Sequence, residues 1–226
     1  MPLRCRMSDA PVTPVFYLHG FASSAKSTKA GYFAQRFQEH GIALKCPDFN
    51  EPEFTTLTFT RMLDRLADEL ARLTGRPAVL IGSSLGGTLG VLAAEKFPDR
   101  VGRLVLLAPA VMFAKPGHHL LPPERLAEWR RRGSLPFFHY AHAAEQPLNY
   151  TFYEDSLQYD PFNAAFGQPT LIFQGTRDAS VDYRTVEAFA STRPNVTLSL
   201  LDDDHQLLAS LPDMWKRISS FVGLGE

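Results

Sequence analysis

Three features are scarce or missing in this sequence of 226 residues: cysteine, an excess of charge of either sign, and long apolar segments. Two cysteines, Cys5 and Cys46, are too few for a disulfide framework, which favours a reducing compartment. Lys plus Arg (23) nearly balances Asp plus Glu (24), which argues against a nucleic-acid-binding surface. No apolar run approaches the length of a membrane span, and the first residues lack the apolar core of a signal peptide. These absences predict a cytoplasmic protein with no nucleic-acid partner and no membrane span.

What the sequence does contain is an alternation of two hydrophobic patterns over a length suited to a single globular domain, 1–226. Residues 1–14 contain three prolines and no periodicity, and we predict a disordered lead-in there. From Val15 onward, short continuous apolar runs, typical of strands buried on both faces, alternate with helical stripes. The predicted strands are 15–18, 43–46, 78–81, 104–107, 170–173 and 196–201. The predicted helices cover 30–37, 59–73, 85–97, a segment capped by Asp182, and 214–221. This alternation predicts an α/β fold with a largely parallel sheet of about six strands and helices on both faces.

The segment 111–162 interrupts the alternation and is predicted to be a lid or cap insertion. A helix is expected from Pro123, at its first turn, to a stop at Gly133. Residues 137–162 contain eight aromatic side chains in 26 positions, well above the chain average of 12%. Such a concentration is typical either of a satellite core or of the roof of an apolar pocket, and the two are compatible.

A glycine-rich turn, Ile81-Gly82-Ser83-Ser84-Leu85-Gly86-Gly87, joins the third predicted strand to the third helix. A G-x-S-x-G sequence in this context predicts a nucleophile elbow, with Ser84 held in a strained backbone above the sheet. Gly82 and Gly86 are required because side chains there would collide with the neighbouring strand and helix. The alternative is a turn that only packs the helix on the strand. The spacing does not fit a nucleotide-binding loop.

A nucleophilic serine needs a base and an acid that orients the base. His205 follows the last predicted strand and Asp178 follows the strand before it, so both should reach the sheet edge that carries Ser84. Asp182 is better placed to cap the next helix, and residues 202–204 lie too close to His205 along the chain. The alternative is that the aspartate is a turn residue and the histidine is structural.

The combination of motifs resembles the α/β-hydrolase superfamily, and more narrowly its small bacterial serine esterases. The motifs are His19-Gly20 after the first strand, Gly82–Gly87, Gly175-Thr176-Arg177-Asp178 and Asp203-Asp204-His205, and the resemblance extends from Val15 to Phe221. It implies a triad of Ser84, Asp178 and His205, and an oxyanion hole formed by the backbone N–H groups of Phe21 and Leu85. Two leading antiparallel strands of larger members are missing, so the resemblance implies a minimal α/β-hydrolase fold.

The function predicted from these residues is hydrolysis of a small-molecule carboxylic ester with no cofactor. The small, aromatic-rich insertion and the ring of Phe21 favour short acyl chains. The alternatives are an acyl thioesterase, a carbon–carbon bond hydrolase, or a non-catalytic ligand receptor on the same fold. A metal site is not predicted, because the histidines lack supporting carboxylate or cysteine spacing. These histidines are His118, His119, His139 and His142.

Overall fold

The computed structural model describes residues 13–115, 118 and 121–224. The predicted lead-in lies outside the described residues, apart from Thr13 and Pro14. The strands are β1 (Val15–Leu18), β2 (Leu44–Lys45), β3 (Ala78–Ser83), β4 (Val101–Leu107), β5 (Ser134–His139), β6 (Ala144–Asn149), β7 (Thr170–Gly175) and β8 (Val196–Leu201). The helices are α1 (Thr28–Glu39), α2 (Phe59–Ala71), α3 (Leu85–Lys96), α4 (Pro123–Arg132), α5 (Thr151–Ser156), α6 (Tyr183–Ser191) and α7 (Leu211–Val222).

The centre of the fold is a six-stranded parallel sheet in the order β2-β1-β3-β4-β7-β8. Strands β1, β3 and β7 are buried along their whole length, which is why their sequences are mostly apolar. The prediction of a largely parallel sheet of about six strands is therefore confirmed. From β1 the chain moves outward to β2 and then returns to β3 on the other side. The carboxyl ends of β1 and β3 therefore flank the point where the strand order reverses, which is where open α/β sheets bind ligands.

Helices cover both faces of this sheet, as predicted. Phe37 of α1 and Met214 of α7 belong to one apolar cluster, and Leu66 of α2 and Leu89 of α3 belong to the other. Helix α3 is buried along ten consecutive residues, Leu85 to Ala94, so it lacks an amphipathic pattern. This burial fixes the position of the helix that begins directly after Ser84.

The insertion contains two features that the sequence analysis did not predict, the short helix α5 and an antiparallel hairpin of β5 and β6. The predicted helix is confirmed as α4, and Gly133 ends it in the left-handed conformation with φ 74°. The hairpin turn contains Ala143 at φ 50° instead of the Asn-Gly or Asp-Gly pair that signals a two-residue turn. Pro136 and Pro147, which face each other across the two strands, also weaken the strand signal.

Aromatic side chains of the insertion form a core that is continuous with the main apolar cluster on that face of the sheet. Trp129 and Phe152 are completely buried in it, and the Trp129 indole N–H donates to the Leu148 carbonyl at 2.7 Å. Phe138 and Tyr140, in contrast, point outward and are 51% and 70% exposed. Trp129 and Phe152 therefore extend the main core and do not form a separate satellite core.

Within the described ranges, none of the helices has both the length and the apolar character that crossing a membrane requires.

Candidate active site

Ser84 lies between β3 and α3 with φ 53° and ψ −115°, a backbone conformation that non-glycine residues rarely adopt. The turn is tight enough to exclude side chains on either side. A Cβ atom on Gly82 would lie 2.3 Å from the Gly86 carbonyl oxygen, and one on Gly86 would lie 2.0 Å from the Leu18 carbonyl oxygen. The glycines thus allow close packing, while the strained conformation leaves the Ser84 side chain partly exposed at the carboxyl edge of the sheet.

The side chains of Ser84, His205 and Asp178 are joined by two hydrogen bonds. The Nε2 atom of His205 lies 3.1 Å from Ser84 Oγ, and its Nδ1 atom lies 2.7 Å from Asp178 Oδ2. An ionised carboxylate only accepts hydrogen bonds, so Nδ1 carries the proton and Nε2 is free to accept from the Ser84 hydroxyl. A serine deprotonated by this nitrogen can attack a carbonyl carbon.

Asp178 is held in its charged form although its side chain is fully buried. Burial by itself raises the pKa of this carboxyl group. The hydrogen bond to His205 and the N–H groups of Val181 and Ser180 outweigh that effect and hold the pKa below its usual range. Both N–H groups donate to Oδ1 at 2.8 Å, and the Gln174 side chain donates to Oδ2 at 2.9 Å.

The other aspartates near these loops have different partners. Asp182 caps α6 by accepting from the Arg184 N–H group at 3.0 Å, as predicted. Asp203 accepts from both the N–H and the hydroxyl of Ser210, at 3.0 and 2.7 Å, and so shapes the loop that leads from His205 into α7.

The two backbone N–H groups predicted for an oxyanion hole belong to segments that meet beside Ser84. Leu85 is the first residue of α3, and Phe21 follows Gly20, where an added Cβ atom would lie 3.5 Å from Ser84 Cβ. Within the described part of the chain, neither N–H group donates a hydrogen bond to a protein acceptor. Both are therefore free to bind an anionic oxygen.

His19 is a positioning residue that the sequence analysis named only as part of a motif. Its Nδ1–H donates to the Gly20 carbonyl at 2.9 Å, and its Nε2 accepts from the Phe49 N–H at 3.0 Å. The Gly20 carbonyl and the Phe21 N–H belong to one planar peptide group and point in opposite directions. By holding the oxygen, His19 fixes the direction of the Phe21 N–H. Phe49, which holds the other ring nitrogen of His19, lies 30 positions further along the chain, so no local sequence pattern could have revealed this role of His19.

His139 is buried with no hydrogen-bond partner on either ring nitrogen in the described residues. Burial lowers the pKa of its imidazole, which favours the neutral form. No group of three or more His, Cys, Asp or Glu side chains in the ranges given above is arranged to hold a metal ion. His119, which the sequence analysis considered with His139, lies outside the described residues.

Lys29, in the first turn of α1, is 7% exposed and close enough to Asp178, Asp203 and Asp204 to feel their charges. Burial is the largest effect on its ammonium group. It lowers the pKa to about 8, although the three carboxylates act in the opposite direction. A charged lysine in this position destabilises the folded state at neutral pH.

We expect Lys29→Met to be more stable than the parent protein at pH 7, by up to about 3 kcal/mol for a pKa lowered by this amount. Above pH 8 the folded parent binds fewer protons at this residue than the unfolded chain, so its stability rises with pH until the unfolded pKa is passed. The advantage of Lys29→Met should therefore shrink between pH 8 and about pH 10.4. Urea unfolding at pH 7 and pH 10 measures this, with exposed Lys26→Met as control. If the two proteins differed in unfolding free energy by the same amount at pH 7 and pH 10, the lowered pKa of Lys29 would be contradicted.

The fold around this site is that of the α/β-hydrolases. Est1E from Butyrivibrio proteoclasticus, solved with ferulic acid bound, has a TM-score of 0.79 and 20% identity, over 95% of this chain and 90% of that chain. The mouse alpha/beta hydrolase domain-containing protein 10 has a TM-score of 0.76 and 21% identity, over 92% and 89%. The resemblance predicted from the sequence motifs is confirmed at the level of the fold.

The sequence is similar to a characterised protein over a short segment and to a protein family over almost its whole length. Over 53 residues the chain is 38% identical to the biotin biosynthesis bifunctional protein BioHC of Teredinibacter turnerae. This match takes in 24% of the present chain and only 9% of that larger protein. Residues 14–223, in contrast, match the family described as uncharacterised protein family UPF0227, and the chain therefore belongs to that family.

Proposed function

We propose that this protein is a serine hydrolase that cleaves carboxylic esters through an acyl-enzyme on Ser84. The observation that carries the proposal is the position of His205, which bridges Ser84 Oγ at 3.1 Å and the buried Asp178 carboxylate at 2.7 Å. A hydroxyl, an imidazole and a charged carboxylate in this order form the arrangement that activates serine in acyl transfer. The likeness in fold to Est1E, whose solved complex contains ferulic acid, agrees with a carboxylic ester as substrate.

The reaction follows from the protonation states of the three side chains. Ser84 Oγ attacks the ester carbonyl carbon while His205 Nε2 accepts the hydroxyl proton, and Asp178 stabilises the resulting imidazolium. The Phe21 and Leu85 N–H groups bind the oxyanion of the tetrahedral intermediate. His205 then gives its proton to the departing alcohol, which leaves the acyl group on Ser84. A water molecule attacks this acyl-enzyme, again with His205 as base, and releases the carboxylic acid and free Ser84.

The purified protein should turn over p-nitrophenyl esters faster than acyl thioesters and should be labelled by a fluorophosphonate probe. Turnover and labelling both require an activated serine, but only the comparison of ester with thioester rates distinguishes an esterase from a thioesterase. Faster turnover of thioesters would indicate a thioesterase that forms the same acyl-enzyme on Ser84. Binding of esters without turnover or labelling would support a receptor and would contradict the proposal.

Among p-nitrophenyl esters, we expect kcat/KM to peak at about C2 to C6, because each buried methylene contributes about 0.8 kcal/mol until overpacking costs roughly 1–3 kcal/mol. The ring of Phe21 packs against Phe54, Phe137 and Phe152, with centroids 5.3 to 5.7 Å away, so aromatic side chains border the loop that carries the proposed oxyanion donor. A series from acetate to laurate tests this, and a maximum at C10 or longer would contradict a closed acyl site.

A further inference from the structure

The ring of Phe21 belongs to an aromatic cluster whose members differ in their access to solvent. Phe54 and Phe152, two of the rings that contact Phe21, are only 4% and 0% exposed. Phe137 is partly exposed, as is Phe21 itself, and the two rings meet edge to face at 5.5 Å. A molecule bound beside the Phe21 N–H can therefore reach Phe137 without entering the core, whereas Phe54 and Phe152 lie behind the surface.

Phe137 points toward the oxyanion loop because of its place on β5. Side chains alternate along this strand, so Leu135, Phe137 and His139 share the inward face, while Pro136 and Phe138 share the outward face. The indole of the buried Trp129 packs against the Phe137 ring from the insertion core at a centroid distance of 4.9 Å. The ring is therefore supported on one side and borders Phe21 on another.

Both ends of the hairpin are attached to the rest of the protein. At its base the Asn149 N–H donates to the Thr55 carbonyl at 2.9 Å, and the Trp129 indole N–H donates to the Leu148 carbonyl at 2.7 Å. Beyond β5, the Tyr140 N–H donates to the Ala22 carbonyl at 2.8 Å, in the loop that carries Phe21. Phe137 lies between these attachments, so its ring cannot move away from Phe21 with the hairpin unless backbone hydrogen bonds break.

We propose that Phe137 is the residue that sets the length of acyl chain the protein accepts. This inference rests on the proposed ester hydrolysis at Ser84 and specifies its substrate class as short-chain acyl esters whose acyl group ends at this ring. The side chain takes no part in bond making. Phe21 contributes a backbone N–H to the oxyanion site, whereas truncation of Phe137 leaves that N–H in place and opens space beyond the site.

The test is the acyl-chain profile of Phe137→Ala from p-nitrophenyl acetate to laurate. Each added carbon that gains room should raise kcat/KM about fourfold, the factor that corresponds to one buried methylene. We therefore expect the preferred chain to lengthen by about two to four carbons and the laurate-to-butyrate ratio of kcat/KM to rise at least tenfold. The larger ring of Phe137→Trp should shift the preference toward acetate, which tests the same idea without opening a cavity.

Two variants serve as matched controls. Phe138→Ala removes a neighbouring ring that points outward and is 51% exposed, and its profile should match that of the parent. Phe152→Leu alters a buried ring 5.3 Å from Phe21, so it should lower the melting temperature but keep the preferred chain length. Fluorophosphonate labelling of Ser84 and a melting curve establish that each variant is folded and active. An unchanged profile in both Phe137→Ala and Phe137→Trp, or an equal shift in Phe152→Leu, would overturn the inference about Phe137. Absence of ester turnover by the parent would instead overturn the proposed function.

Discussion

Ser84→Ala should abolish ester turnover and fluorophosphonate labelling while the protein remains folded. Loss of the nucleophile in a serine triad typically lowers kcat on the order of a millionfold. The substitution removes only a partly exposed hydroxyl whose hydrogen bond is to His205 Nε2, and it keeps the Cβ atom, so the strained turn is not altered. Rates with p-nitrophenyl butyrate, active-site labelling and a melting curve measure the three parts of this result.

The neighbouring serine provides a control for this experiment. Ser83 is the last residue of β3 and is 4% exposed, whereas Ser84 is partly exposed and within hydrogen-bond distance of His205. Ser83→Ala should therefore keep its turnover and its labelling. If Ser84→Ala retained a tenth of the parent rate, or if Ser83→Ala lost its labelling, the assignment of the nucleophile would be wrong.

Asp178→Asn should lower kcat by roughly 10⁴, because an amide in this position favours the wrong tautomer of the His205 imidazole. The carboxylate accepts from His205 Nδ1, whereas an amide can present an N–H to that nitrogen. His205 would then carry its proton on Nε2, which could no longer accept the proton of Ser84. Single-turnover acylation with a p-nitrophenyl ester measures the effect directly.

Asp182→Asn is the matched control for Asp178→Asn. Asp182 lies four residues further along and caps α6, a task that asparagine performs about as well. Its variant should keep both turnover and stability close to those of the parent. A large rate loss in Asp182→Asn together with a small one in Asp178→Asn would transfer the role of the acid to Asp182.

The order of the central elements could be predicted because each of them has a local cause. Strands such as β3 and β7 are buried on both faces, so each contains a run of at least four apolar or small residues that marks it in the sequence. Strand β8 was predicted with the same bounds that the structure has. The G-x-S-x-G turn could be recognised for a similar reason. Gly82 and Gly86 are dictated by contacts with residues directly beside the turn and with the neighbouring strand.

The hairpin of β5 and β6 could not be predicted, since its stability comes from partners outside it. Its turn lacks a typical turn pair, and its sequence contains two prolines in strand positions. What holds it in place are hydrogen bonds to Thr55, Trp129 and Ala22, which lie in three other segments of the chain. Tertiary contacts thus override weak local propensity.

The chain by itself determined which residues arrive at the carboxyl edge of the sheet, because parallel strands present their following loops on one side. Ser84, Asp178 and His205 could be placed there from the ends of β3, β7 and β8 alone. Only the tertiary structure decided how these loops are oriented toward one another. The direction of the Phe21 N–H depends on a hydrogen bond from His19, whose ring is in turn held by Phe49. The burial of Lys29 beside three carboxylates likewise depends on the packing of α1 against loops more than 140 residues away, a distance along the chain at which no local pattern acts.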